Sequence, residues 1–231
     1  MKSKVLLIIP AYNEELNIEN VVEGLKNSYP QYDYVIINDG SKDKTSLVCH
    51  RNKYNVVDLV INIGLTGAFR TGMKYAYQHG YDYAMQYDGD GQHNPEYIEQ
   101  MIEVAEQEKA EVVIGSRYVK EKMPWDARMI GARIIKTCIF LTSRKIIQDP
   151  TSGMRLYGKK VMESFVKNSS YAPEPDTLAF MARCGVKISE CQVYMNERIA
   201  GESYFNISSS IKYMARMCSE ILIVQWFRKK V

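Results

Sequence analysis

Apolar and polar positions follow two alternating rhythms through the first half of the chain. KVLLII (4–9) is a continuous apolar run, the pattern of a strand buried on both faces of a sheet. NEELNIENVVEGLKNS then places apolar residues at 18, 21, 22 and 25, the spacing of one helix face. The exchange repeats. DYVIIND (33–39), NVVDLVIN (55–62), DYAMQYD (82–88) and AEVVIGSR (110–117) read as strands. KDKTSLVCHRNK, TGAFRTGMKYAYQHG and PEYIEQMIEVAEQE read as the helices between them, the last with proline in its first turn. Such a succession predicts an α/β fold with a mostly parallel sheet covered by helices.

The rhythm changes after about residue 116. Residues 127–147 read as one long helix with basic residues inside it, and QDPTSGMRLYG (148–158) as a turn-rich connection. A helix near 158–167, another after Pro175, a strand VKISECQVYM and a final helix from about Ser208 to Lys230 complete the chain. Neither a Pro/Gly/Ser linker nor an internal repeat divides it. A single domain over 1–231 is expected, with a nucleotide-type half (1–116), a half that closes the site (117–205) and a terminal amphipathic helix (206–231).

Composition changes this picture little. Apolar content of 46% and charged content of 25% suit a globular core without disulfides. The five cysteines are scattered and form no C-x-x-C pair, so zinc and redox readings find no support and a reducing compartment is expected. No run approaches the ~20 apolar residues of a membrane span, and the apolar run ending at Pro10 is too short for a signal-peptide core. A cytoplasmic location, peripheral on the cytoplasmic membrane face, is the expectation. A net charge of +3 does not argue for nucleic acid. Charge is nonetheless uneven: residues 117–145 carry eight Lys and Arg against Glu121 and Asp126, which suits phosphates or an anionic membrane face.

Ligands of parallel α/β sheets bind beyond the carboxyl ends of the strands. Four predicted strand ends carry polar residues: Pro10 to Glu14, Asn38 to Ser41, Asn62 to Gly64, and Asp88 to Asp90. Their convergence on one edge is the strongest functional feature of the sequence. GLTGAFRTGMK lacks G-x-G-x-x-G, and Met73-Lys74 stands where a P-loop requires Lys-Ser/Thr, so both nucleotide motifs fail. The glycines there let a helix start approach a ligand or a neighbouring strand. Asp88 and Asp90 stand two apart in an extended segment and can face one ion. Oxygen-only ligands favour Mg²⁺ or Mn²⁺. Alone, D-G-D could equally be a turn.

The set P-A-Y-N-E-E, N-D-G-S-K-D-K-T, N-x-G-x-x-G-A, D-G-D-G-Q-H-x-P-E and G-S-R-Y resembles the family 2 glycosyltransferases with a GT-A (Rossmann-like) fold. D-P-T-S-G-M-R and R-I-A-G-E-S resemble the dolichol-phosphate mannosyltransferase-like branch, which moves a sugar from a nucleotide donor to a polyprenyl phosphate. The resemblance implies a nucleoside pocket of Pro10, Tyr12, Glu14, Asp39 and Gly67. It implies Mg²⁺ or Mn²⁺ on Asp88 and Asp90 beside Gln92, and an acceptor phosphate on Arg117, Arg128, Arg198 and Ser203. The implied activity is an inverting, metal-dependent hexosyl transfer for cell-envelope glycan or glycolipid synthesis, with UDP-glucose favoured and GDP-mannose second. Asp90, Arg117, Arg128 and Asp149 would carry the chemistry.

Alternatives stand beside this one. A hydroxyl acceptor would need a general base, for which Asp149 and Glu174 are the candidates. Asp149 could instead cap a turn, and Glu174 could start a helix. His93 reads as structural. A non-catalytic nucleotide-sugar-binding protein is the rival of another class. Tyr204 stands where the family often has a lysine. The last helix carries Ile207, Ile211, Met214, Cys218, Ile221 and Leu222 on one stripe, which suits the membrane interface, packing on the domain, or a homo-oligomer.

Overall fold

The computed structural model describes residues 3–87, 94–125, 127–194 and 207–228. Seven strands form one sheet in the order β3-β2-β1-β4-β6-β5-β7. Parallel pairing joins β1 (Val5–Ala11), β2 (Asp33–Asn38), β3 (Val56–Asp58) and β4 (Tyr83–Gln86), and also β5 (Val112–Ser116) with β7 (Ile188–Gln192). β6 (Arg155–Gly158) runs antiparallel between β4 and β5.

The apolar runs divide by the period of two. Leu6 and Ile8 of β1 face one core, whereas Val5, Leu7, Ile9 and Ala11 face the other. The first core is closed by α3 (Gly64–Gln78), α5 (Ala127–Ser143), α6 (Lys159–Lys167), α7 (Pro175–Arg183) and α8 (Ile207–Leu222). The second is closed by α1 (Ile18–Ser28), α2 (Thr45–Arg51) and α4 (Tyr97–Glu108). Each fully buried Leu, Ile or Phe contributes about 1.5–3 kcal/mol of transfer free energy. Close approach of α3 to β1 depends on Gly72, where a Cβ would lie 2.2 Å from Ile8 Cγ2.

Three expectations from the chain pattern need correction. Residues 155–158 are a strand rather than part of a turn; four residues, including a buried arginine and a glycine, are too few to show a period. The helix from 127 ends at Ser143, because Arg144 takes a left-handed φ of 56° with neither Gly nor Pro to announce it. The final helix stops at Leu222 and gives way to a 3-10 turn over Val224–Phe227. Met214, Cys218 and Ile221 of its apolar stripe pack on the domain, whereas Leu222 is exposed.

Candidate active site

All six parallel strands end on one edge of the sheet, and the loops there interlock. The Asp39 N–H donates to Ala11 O at 2.8 Å, and Asp39 Oδ1 accepts the Ile63 N–H at 2.8 Å. Buried Asp39 therefore joins three strand ends, one through its backbone N–H and one through its carboxylate. Gly40 has a φ of 65°, and a Cβ there would meet Asn62 N at 2.6 Å, so only glycine lets these loops touch. Asn13, left-handed with φ 57°, receives Lys42 N–H on Oδ1 and gives its own N–H to Ser41 Oγ. The Glu14 N–H reaches Thr45 Oγ1 at 2.8 Å, and the Glu14 side chain accepts Asn17 Nδ2. Burial pushes the Asp43 carboxyl up, but bonds from Thr45 and Glu15 outweigh it and hold the group below its ordinary value.

Of the residues expected at the donor side, Pro10, Tyr12, Glu14 and Asp39 gather here, with Tyr12 exposed. Gly67 lies in the first turns of α3, where a Cβ would press on the Ile63 side chain at 2.6 Å; its neighbour is its own loop. Tyr87 follows β4, its N–H bonded to Ile8 O. Asp88, Asp90, Gln92 and His93, which come next, lie outside the described residues, as do Arg198, Ser203 and Tyr204. Among the described residues, no group of three or more His, Cys, Asp and Glu could hold a metal ion.

The antiparallel β6 matters because it enters the sheet from the same edge. Its preceding turn, 149–154, therefore sits between the ends of β4 and β5, which are about 10 Å apart, two strand spacings. Each polar residue of D-P-T-S-G-M-R fastens this turn. Ser152 Oγ donates to Gly115 O at 2.6 Å. The buried Arg155 donates from Nε to Ser152 O and from Nη2 to Pro150 O, both at 2.8 Å.

Asp149 is 0% exposed and receives Arg117 three times: Nε on Oδ2 at 2.7 Å, Nη2 on Oδ1 at 2.8 Å, and the backbone N–H on Oδ2 at 3.1 Å. Thr151 Oγ1 also donates to Oδ1. These bonds raise the Arg117 pKa against the opposing effect of burial. The arginine side chain keeps 30% of its surface exposed, so it is a fixed cation with an open face. Asp149 has both oxygens engaged, which suits holding Arg117 rather than taking a proton. Glu174 stands at the N-cap position of α7 and accepts Tyr213 Oη at 2.6 Å, with Arg216 at 3.6 Å. Arg128 lies in the first turn of α5, and its side chain is outside the description.

Two residues absent from the sequence-derived site complete it. Glu190 accepts the Gln148 and Asp149 N–H groups on separate oxygens at 2.7 and 3.0 Å; burial raises its pKa, opposed by those bonds. Gln192 Nε2 donates to Arg117 O, and its Oε1 accepts Lys120 N–H. Polar residues at i and i+2 of β7 share one side, a spacing that could have flagged them.

Beside the pair opens a cleft of about 760 Å³, between residues 118–125 and α5. Its walls combine Lys122, Arg133 and Lys136 with Met123, Trp125, Phe140 and Ile146. Lys136 Nζ donates to Gln148 Oε1. Arg133 stacks 3.9 Å from the Trp125 ring centre and bonds Met123 O and Pro124 O, which fixes the outer wall.

The sequence profile described as Glycosyl transferase family 2 matches residues 6–165. A UDP-N-acetylglucosamine–dolichyl-phosphate N-acetylglucosaminyltransferase of Methanococcus voltae is 32% identical over 214 residues, covering 82% of this chain and 84% of that protein. An undecaprenyl-phosphate mannosyltransferase of Micrococcus luteus is 27% identical, covering 87% and 86%. Among solved structures, glucosyl-3-phosphoglycerate synthase of Mycobacterium tuberculosis, in complex with Mn²⁺, UDP and phosphoglyceric acid, superposes with a TM-score of 0.65 at 16% identity. That match covers 99% of this chain and 80% of the other, a likeness of fold.

Proposed function

The chain belongs to glycosyl transferase family 2, and on that premise we propose that it transfers a hexose from a nucleotide sugar to a polyprenyl phosphate, with inversion. The observation that carries this reading is the Arg117–Asp149 pair beside a cleft both cationic and apolar. A phosphate on an isoprenoid chain needs both chemistries. Arg117, fixed at two points, is suited to hold the phosphate in line, with Arg128, Arg198 and Ser203 as further acceptor contacts.

A phosphate monoester, with a second pKa near 6 by analogy with phosphorylated side chains, is largely dianionic at neutral pH. Its oxygen attacks the anomeric carbon while the bond to the nucleoside diphosphate breaks and the electron pair leaves with the diphosphate. No general base is required, which accords with the engaged carboxylates of Asp149 and Glu174. Asp149 then serves the reaction by positioning Arg117. The hydroxyl-acceptor alternative would need one of these carboxylates released.

Tyr12, Glu14 and Asp39 are assigned to the nucleoside, and Pro10 and Gly67 to the walls of its pocket. The oxygen-only pair Asp88 and Asp90 follows directly on Tyr87 and fits a hard cation, with Gln92 beside it. Mg²⁺ or Mn²⁺ bound there would supply positive charge against the leaving diphosphate. A lipid acceptor further implies peripheral contact with the cytoplasmic membrane face. No helix among the described residues is long and apolar enough to cross a membrane.

The test is a lipid-extraction assay with labelled UDP-glucose, UDP-N-acetylglucosamine or GDP-mannose. Each is incubated with undecaprenyl or dolichyl phosphate, with and without EDTA. UDP-glucose is the first expectation, whereas the names of the two relatives carry N-acetylglucosamine and mannose. The expected result is organic-phase label from one donor, lost with EDTA and with Asp90→Ala. Label that stays in intact donor with every lipid would overturn the acceptor, and transfer untouched by EDTA would overturn the metal.

A further inference from the structure

α5 and α8 lie side by side and run in the same direction, Gly131 meeting Met214 and, further along both helices, Cys138 meeting Cys218. Gly131 permits the approach, since a Cβ there would lie 2.9 Å from Met214 Sδ. Cys138 Sγ and Cys218 Sγ are 3.9 Å apart, in contact, although 80 positions separate them in the chain. A disulfide needs about 2.05 Å between its sulfurs. Rotation of the two side chains and a small sideways shift of one helix supply the remaining travel.

The two thiols are not equivalent. Cys138 is 6% exposed, and burial, reinforced by Cys218, pushes its thiol up to about 11. Cys218 is half-buried, so a reagent in solution reaches it first. The pair is thus an entry thiol with a second thiol in contact behind it. Its position gives a bond consequences. Lys136, Thr137 and Phe140 line the cleft within two residues of Cys138. On the other helix, Met217, next to Cys218, is buried in the core, and Tyr213 donates to Glu174 at the N-cap position of α7.

We propose that Cys138 and Cys218 are a reversible disulfide site, closed by a low-molecular-weight disulfide such as oxidised glutathione, which braces the cleft-bearing helix α5 to α8. The Cys218 thiolate attacks one sulfur of the reagent, whose S–S bond breaks and releases one thiol. The Cys138 thiolate then attacks the Cys218 sulfur of the mixed disulfide and displaces the second thiol. Two protons and two electrons leave the pair, and the reagent is reduced to two thiols. In a reducing compartment the pair rests as thiols, and the bond forms on oxidation. The site stands on these two helices and holds for any acceptor.

The experiment is incubation of the folded full chain with oxidised glutathione, then alkylation, non-reducing tryptic digestion and mass spectrometry. The expected product is a cross-link between peptides 137–144 and 217–228. The melting temperature should rise by about 5–10 °C, because the link restricts the unfolded chain, and return with dithiothreitol. Cys218→Ala should remove both effects. Cys138→Ala should leave glutathione on Cys218 with no rise in melting temperature. Wild-type protein whose two thiols stay open to alkylation, or that keeps glutathione on Cys218 without the cross-link, would overturn the proposal. So would sulfurs linked in another pairing, or a cross-link that leaves the melting temperature unchanged.

Discussion

Arg117 and Asp149, 32 positions apart in sequence, meet in a two-pronged ion pair, Nε to Oδ2 at 2.7 Å and Nη2 to Oδ1 at 2.8 Å. The carboxylate is sealed from solvent while the guanidinium is not. The asymmetry gives the two residues different mutational signatures.

Asp149→Ala leaves a partly buried arginine without its counter-charge, which should cost about 3–5 kcal/mol of stability. Arg117→Lys keeps the charge but not the fork and should raise KM for the lipid phosphate more than it lowers kcat. Because each residue acts through the other, a double-mutant cycle on kcat/KM should be strongly non-additive. Denaturant melts and acceptor kinetics measure both effects. An Asp149→Asn enzyme of unchanged stability and KM, but with the acidic limb of its pH profile removed, would return the residue to the role of base.

Glu190→Gln looks conservative and should not be. Both carboxylate oxygens accept a backbone N–H, and an amide offers one oxygen and one donor in their place. About 1–3 kcal/mol of stability should be lost, together with acceptor affinity, since the 148–149 backbone carries Asp149. Isothermal denaturation and the acceptor KM report the two losses, and an unaltered KM would detach Glu190 from the site.

Two helical glycines should respond oppositely to alanine. Gly72→Ala forces a methyl into Ile8 and should destabilise by about 1–3 kcal/mol. Gly24, inside α1 with nothing within 4 Å of its absent Cβ, should gain about 0.5–1 kcal/mol. Thermal melts decide both.

Burial pushes the thiols of Cys49 and Cys191 up to about 11, from an ordinary value of 9.0. Between those values the folded chain holds protons that the unfolded chain releases. Their contribution to stability should thus be full below about pH 9, decline as pH rises through that window, and level off above about 11. Denaturation midpoints of Cys49→Ala with Cys191→Ala, compared with wild type from pH 8 to about 11, test this. The difference between the two proteins should shift with pH; a constant offset would contradict it.

The apolar runs of the first half determined β1, β2, β4 and β5 and the helices between them, because a doubly buried strand and a one-faced helix each impose a local period. The polar strand ends were legible for the same reason: once the sheet is parallel, Asp39 and Asn13 must lie on one edge. Three things only the tertiary structure decided. β6, with Arg155 buried inside it, takes its identity from β4 and β5 on either side rather than from its own four residues. Asp149 reads as a base or a turn cap in sequence alone, until β6, entering from the carboxyl edge, carries it to Arg117. The outward face of α5 could not be told from its core face, since Ile134 and Ile135 are the same residue type; packing of α7 and α8 settled which of them is hidden. Sequence records what a segment can bury, and the partner that buries it is supplied by the rest of the chain.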